Sequence, residues 1–149
     1  MKLPSPPLIT IRNAQRRVLL STCELQRFAG IACKLVWRSR RRKSEIASLS
    51  QIYILIVSDR RMAALHKRFC GIADATDVLT FQHGEIVISA DTAARQARIF
   101  HTNLTAEIQL YVLHGMLHLA GFDDAMPFKR RQMHRLQKKL MTTVLGSSR

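Results

Sequence analysis

The segment Leu104–Ala120 constrains this chain more than any other feature. It is apolar nearly all round (Ile108, Leu110, Val112, Leu113, Leu117, Leu119), so as a helix it has no face to offer water. The pattern predicts a central buried helix, entered at Thr102 or Asn103 and stopped by Gly121. The rest of the chain must wrap around it. With 149 residues and 47% apolar content there is material for one such core. No uninterrupted apolar run approaches the roughly 18–20 residues of a membrane span, the longest being Ile52–Val57.

Local pattern predicts the surrounding elements. Leu8–Ile11, after a Pro-rich start, reads as a short edge strand. Ser21–Trp37 sets Leu25, Phe28, Ala32 and Leu35 at helical spacing. Gln51–Val57 reads as a strand buried on both faces. Ser58 then caps a helix with the apolar stripe Met62, Leu65 and Phe69, stopped by Gly71. Thr76–Phe81 and Gly84–Ala90, separated only by Gln82 and His83, predict a hairpin. Asp91–Phe100 is a polar-faced helix with an acidic residue at its positive end. Phe128–Leu145 is amphipathic through Met133, Leu136, Leu140 and Val144. Strands and helices alternate without repeats or linkers. Residues 1–149 are therefore expected to form a single α/β (α+β) domain, a mixed sheet of about four strands packed with about five helices.

The formal charge of +14 is unevenly distributed. Residues 1–68 hold fifteen basic and three acidic residues, residues 69–128 hold two basic and seven acidic, and residues 129–149 hold seven basic and none acidic. Basic flanks attract a polyanion such as RNA, DNA or an acidic membrane, and Arg38–Lys43 is the densest cluster. Cys23, Cys33 and Cys70 are odd in number and form no C-x-x-C pair, which predicts free thiols in a reducing cytoplasm. Met1–Pro7 lacks the apolar core of a signal peptide.

The buried helix carries the chemistry, in His114-Gly-Met-Leu-His118-Leu-Ala-Gly121-Phe-Asp123-Asp124. Histidines four apart stand on one helix face, where both imidazoles reach one metal ion. Gly121 folds the chain back and brings Asp124 toward that face, completing a two-His, one-carboxylate site with open coordination positions. Asp123 is a candidate for holding a ligating ring by its far N–H. In a chain of this composition a chance His-x3-His pair arises about once in four, but adding Gly and a third ligand at these offsets cuts that to the order of one in a thousand. Unpartnered histidines in an apolar helix are also costly. The spacing is that of metzincin-type proteases, yet those need Glu directly after the first His, and here that position is Gly115. Zinc at such a site brings the pKa of a water down to near neutrality. With basic flanks, a phosphodiester is the natural target.

These residues resemble the YbeY bacterial endoribonucleases, or rRNA maturation factors. Residues 114–124 match that family's H-G-x-L-H-L-x-G-[YF]-D-H at every specified position but the last. Thr76–Phe81 is similar to its T-[DN]-V-L-S-F, Gly84–Ser89 to its G-D-I-V-I-S, and Glu107 to its E-L segment, in order over about residues 50–145. The resemblance implies a zincin-like fold, one bound Zn²⁺, single-strand endoribonuclease activity, and roles in 16S rRNA 3′-end maturation and ribosome quality control. Two positions depart from it: Asp124 replaces the third histidine, and Cys70 falls where the family has an arginine, with Lys67 and Arg68 two or three residues away.

The expectation is a zinc-dependent, single-strand-specific endoribonuclease acting on rRNA at the small ribosomal subunit, cytoplasmic, with neither membrane nor DNA as partner. His114, His118 and Asp124 would be the metal ligands and catalytic residues, with Asp123 behind them. Arg38, Arg40, Arg41, Arg42, Lys43, Lys67 and Arg68, together with Lys129–Lys139, would hold RNA. The alternatives are a ribosome-assembly RNA-binding factor with a structural metal and, in another class, a metalloprotease.

Overall fold

The β-branched run Gln51–Val57 forms a central strand, and the sheet grows outward from it. The structure, a computed structural model, describes residues 3–147. Met1, Lys2, Ser148 and Arg149, which the single-domain expectation included, lie outside the described residues. In chain order the elements are β1 (Leu8–Asn13), α1 (Thr22–Ser39), a 3₁₀ turn (Glu45–Ser48), β2 (Gln51–Val57), α2 (Asp59–Cys70), β3 (Val78–Phe81), β4 (Glu85–Ser89), α3 (Ala90–Ile99), α4 (Leu104–Leu119) and α5 (Pro127–Ser147). The sheet order is β1-β2-β4-β3, with β1, β2 and β4 parallel and β3 antiparallel to β4. The mixed α/β class and the hairpin agree with the sequence reading; the 3₁₀ turn had no sequence signal.

Alternation along the strands separates two faces. Ile52, Ile54, Ile56, Ile86 and Ile88 are buried against α1, α4 and α5 in the main core. Val57 and Val87 face the other way and pack with Met62 of α2. The expectation that β2 is buried on both faces is wrong at one end, because Tyr53 is 56% exposed. The physical reason is coverage: α2 is one short helix, and its fully buried side chain, Met62, lies over the far end of the strand. Phe69 departs from its expected stripe for the same reason, meeting Phe81 edge-on with ring centroids 5.2 Å apart while remaining exposed.

Helix α4 sits where its composition demands, with most of its residues buried. Asn103, rather than Thr102, is its cap: the Asn103 Oδ1 accepts from the Ala106 N–H at 2.8 Å. Thr102 instead donates to the buried Glu107 carboxylate at 2.9 Å. Midway along the helix, a Cβ at Gly115 would stand 2.9 Å from Ile86 Cγ2 and 3.0 Å from Thr80 Oγ1. Glycine there lets the helix backbone lie directly on β3 and β4. Toward the C-terminus, the backbone N–H of Arg41 donates to the Ala120 carbonyl at 2.9 Å. That bond ties the basic segment after α1 to the end of the buried helix.

Candidate metal centre

His114 and His118 lie one turn apart on α4, and their Nε2 atoms approach to 3.1 Å. The helix stops just beyond them in a Schellman turn: the Gly121 N–H donates to the His118 carbonyl and the Phe122 N–H to the Leu117 carbonyl, both at 3.0 Å. Gly121 takes φ +94°, a region where side chains are strained. The reversal brings Asp124 back over the helix, with Oδ2 3.6 Å from His114 Nε2 and Oδ1 3.9 Å from His118 Nε2. One ligand atom from each of the three residues lies within 4.8 Å of the others, the grouping expected from the spacing.

Each ring is oriented from behind. His114 Nδ1 lies 2.9 Å from Gln137 Oε1 on α5. An amide oxygen accepts, so Nδ1 carries the proton and Nε2 keeps its lone pair for the cleft. The His118 ring donates to the backbone carbonyl of Phe122. Burial, reinforced by the neighbouring His114, holds His118 below the ordinary histidine pKa and so favours its neutral, ligating form. Asp123 does not take the position expected of it. Its carboxylate accepts from the Ala125 N–H at 3.2 Å and from Lys129 Nζ at 3.3 Å, because the turn that points Asp124 inward points its neighbour toward α5. Gln137 fills the role instead. It lies in α5 beside the apolar stripe, where sequence alone offers no sign that it faces a histidine.

The three residues line an open cleft of about 530 Å³, joined by Glu45, Asp77, Thr80 and Gln82. Glu45 belongs to the 3₁₀ turn and carried no sequence signal, whereas Asp77 lay inside the Thr76–Phe81 segment. With Asp123 and Asp124 these carboxylates make the cleft acidic, which suits a cation.

The basic residues separate into two groups. Arg41 stands beside the site and does not line it, its guanidinium 4.7 Å from the ring centroid of Phe122, which does. Arg40 folds back over Trp37 at 3.8 Å, and Arg38, Arg42 and Lys43 are exposed nearby. Lys67 and Arg68 are on α2, which packs against the opposite sheet face, and neither lines the cleft. Cys70, exposed at the end of that helix, does not line it either. The donor set fits a divalent metal. The two imidazole nitrogens stand 3.1 Å apart, and the two oxygens of the Asp124 carboxylate lie 3.6 and 3.9 Å from them, close to the roughly 3.3 Å between ligand atoms of a tetrahedral site with bonds near 2.0–2.1 Å.

A family model described as Endoribonuclease YbeY matches residues 10–145. Endoribonuclease YbeY of Anaeromyxobacter sp. (strain Fw109-5) is 42% identical over 101 residues, covering 61% of this chain and 53% of that protein. Its namesake in Beutenbergia cavernae is 34% identical over 114 residues, covering 65% and 76%. The solution structure of TM1509 from Thermotoga maritima superposes with a TM-score of 0.65 at 26% identity, over 93% of this chain and 90% of that one. The match spans about half the length of the two Anaeromyxobacter relatives.

Proposed function

The chain belongs to the Endoribonuclease YbeY family, and from that premise we propose that it is a metal-dependent endoribonuclease that cleaves single-stranded RNA during rRNA processing. The observation that carries this reading is the convergence of His114, His118 and Asp124 in an open cleft, with Arg41 against its Phe122 wall. These three residues would hold a zinc ion. When bound, that ion supplies Lewis acidity toward the scissile phosphate and toward water.

The remaining work falls to the chain's own groups. The helix and its Schellman turn hold the three donors in place before any ligand arrives. Gln137 keeps the His114 proton on Nδ1, so Nε2 stays available. The cleft is open, and an unpaired RNA backbone can enter where a duplex cannot. Arg38, Arg40, Arg41, Arg42 and Lys43 would supply positive charge from the end of α1 onward, and Lys129–Lys139 would extend it along α5. Lys67 and Arg68, behind the sheet, would meet only RNA that wraps around the domain. The finer assignments are 16S rRNA 3′-end maturation, quality control at the small subunit, and a reducing cytoplasmic setting for one domain spanning residues 1–149. The cytoplasmic setting is supported by free thiols at Cys23, Cys33 and Cys70. Among the described residues no helix is long and apolar enough to cross a membrane.

Metal analysis of the purified protein, paired with cleavage of a single-stranded rRNA fragment, tests the reading. Wild type is expected to carry zinc and to cleave; His114→Ala is expected to lose both. Stoichiometric zinc retained by that variant would sink the ligand assignment. Equal residual cleavage by wild type and His118→Ala would favour an RNA-binding assembly factor with a structural metal, a reading supported by the absence of any α2 arginine from the cleft. A protease is disfavoured on steric grounds, since the position after His114 has no room even for a Cβ without displacing Ile86.

A further inference from the structure

A second concavity of about 470 Å³ opens directly beside the metal cleft, and Gly121, Phe122 and Asp123 line both. Its other walls are Arg41, Phe128, Lys129 and Gln132. We propose that this concavity is a nucleotide subsite, in which a base of single-stranded RNA next to the scissile bond stacks on Phe128 while its phosphate pairs with Arg41. The proposal rests on the endoribonuclease reading above and adds to it a place where the substrate is gripped.

Arg41 is prepared for this role by three contacts. Its backbone is tied to Ala120, its guanidinium lies over the Phe122 ring, and its Nη2 donates to Gln132 Oε1 at 3.1 Å. Gly121 leaves the space its stem occupies, because a Cβ there would stand 3.1 Å from Arg41 Cβ. A guanidinium held over an aromatic ring keeps its remaining N–H groups for an anionic ligand. Phe128, in the first turn of α5, is 69% exposed. One exposed phenylalanine is unremarkable. At the rim of a concavity that already contains a positioned guanidinium, it offers the flat apolar surface on which bases stack regardless of sequence.

Charge selects the ligand class. Lys129 already pairs with Asp123, so an incoming phosphate does not meet an unpaired carboxylate there. The first turn of α5 has no acidic residue. An anion with flat faces matches this combination of rings and cations, and single-stranded RNA is such a ligand. Because the two cavities share a wall, a nucleotide held here is adjacent to the phosphate held at His114, His118 and Asp124.

The test is binding of a fluorescein-labelled 2′-O-methyl RNA dodecamer, which resists cleavage, to the zinc-loaded protein by fluorescence anisotropy. Phe128→Ala is expected to weaken binding about tenfold, within the range that removal of one stacking partner produces. Phe128→Trp should bring it back to within about twofold of wild type, since a larger ring restores the stack. Arg41→Ala should weaken binding and flatten its salt dependence. Binding by Phe128→Ala within twofold of wild type overturns the subsite while leaving the nuclease reading intact. Loss in Phe128→Ala without recovery in Phe128→Trp overturns stacking as the mode of contact. If wild type neither binds the dodecamer nor cleaves its unmodified counterpart, the nuclease reading falls and takes the subsite with it.

Discussion

At the scale of single residues, the site depends on where one proton sits. Gln137 Oε1, 2.9 Å from His114 Nδ1, keeps the proton there and leaves Nε2 free to bind a cation. Replacing Gln137 with Leu preserves volume and removes the acceptor. Zinc affinity is expected to fall about 10–100-fold, the usual cost of losing a group that orients a ligating histidine. Competition against a fluorescent chelator measures this, and unchanged affinity would remove Gln137 from the site. The two histidines and Asp124 were legible in the sequence because their offsets are local to one helix and its terminal turn. Gln137 was not, because the contact joins α4 to α5 across twenty-three positions and depends on how those helices cross. Asp123 was misread for a related reason: adjacent residues in a turn point in different directions, and sequence does not say which points inward.

At the scale of elements, the N-termini of α2 and α3 are joined through Asp59. Its carboxylate accepts from Ser89, Thr92 and Arg95, while its own backbone N–H donates to Asp91 Oδ2 at 2.8 Å. Burial pushes the Asp59 carboxyl up, but the hydrogen bonds from Arg95, Ser89 and Thr92 together outweigh it and hold it below the ordinary carboxylate value. A carboxyl depressed in the folded state stabilises above the unfolded pKa, near 4, and loses that contribution as pH falls through the lower folded value. Asp59→Asn is therefore expected to cost about 1–2 kcal/mol at pH 7, allowing for partial solvent screening. Urea unfolding of both proteins should show that difference shrinking toward pH 3. A gap independent of pH would mean that shape rather than charge matters at this junction. The start of α2 was readable, since Ser58 caps it as expected, whereas Ser89, read as part of the strand, caps α3, which begins one residue ahead of its expected start at Asp91. The bridge between them appears only once β2 and β4 lie side by side.

At the scale of the molecule, the uneven charge predicts how RNA binding responds to salt. If about four cations of the segment after α1 neutralise phosphates, the logarithm of affinity should fall with a slope near −3 against the logarithm of salt concentration. Raising salt from 0.1 to 0.3 M would then weaken binding of a single strand about twentyfold. Arg42→Ala combined with Lys43→Ala should reduce the slope by roughly 1.4. A slope that the double variant leaves unchanged would place the contact surface elsewhere, with α5 the next basic element to test.

The chain's pattern by itself determined the buried helix, the strands and their hairpin, the Ser58 cap, and a His–His–Asp triplet within one helix and its turn that could hold a metal ion. Each of these rests on interactions between residues close in sequence, or on a periodicity that only one packing satisfies. Tertiary structure alone decided where the basic residues stand, tying Arg41 to the end of α4 beside the cleft through the Ala120 carbonyl and leaving Lys67 and Arg68 behind the sheet. It also decided that α2 is too short to cover Tyr53 and that Gln137, not Asp123, backs His114. Those outcomes depend on distances between elements far apart in the chain. Such distances are set by packing, where a close approach such as Gly115 on Ile86 fixes how deeply one element settles on another.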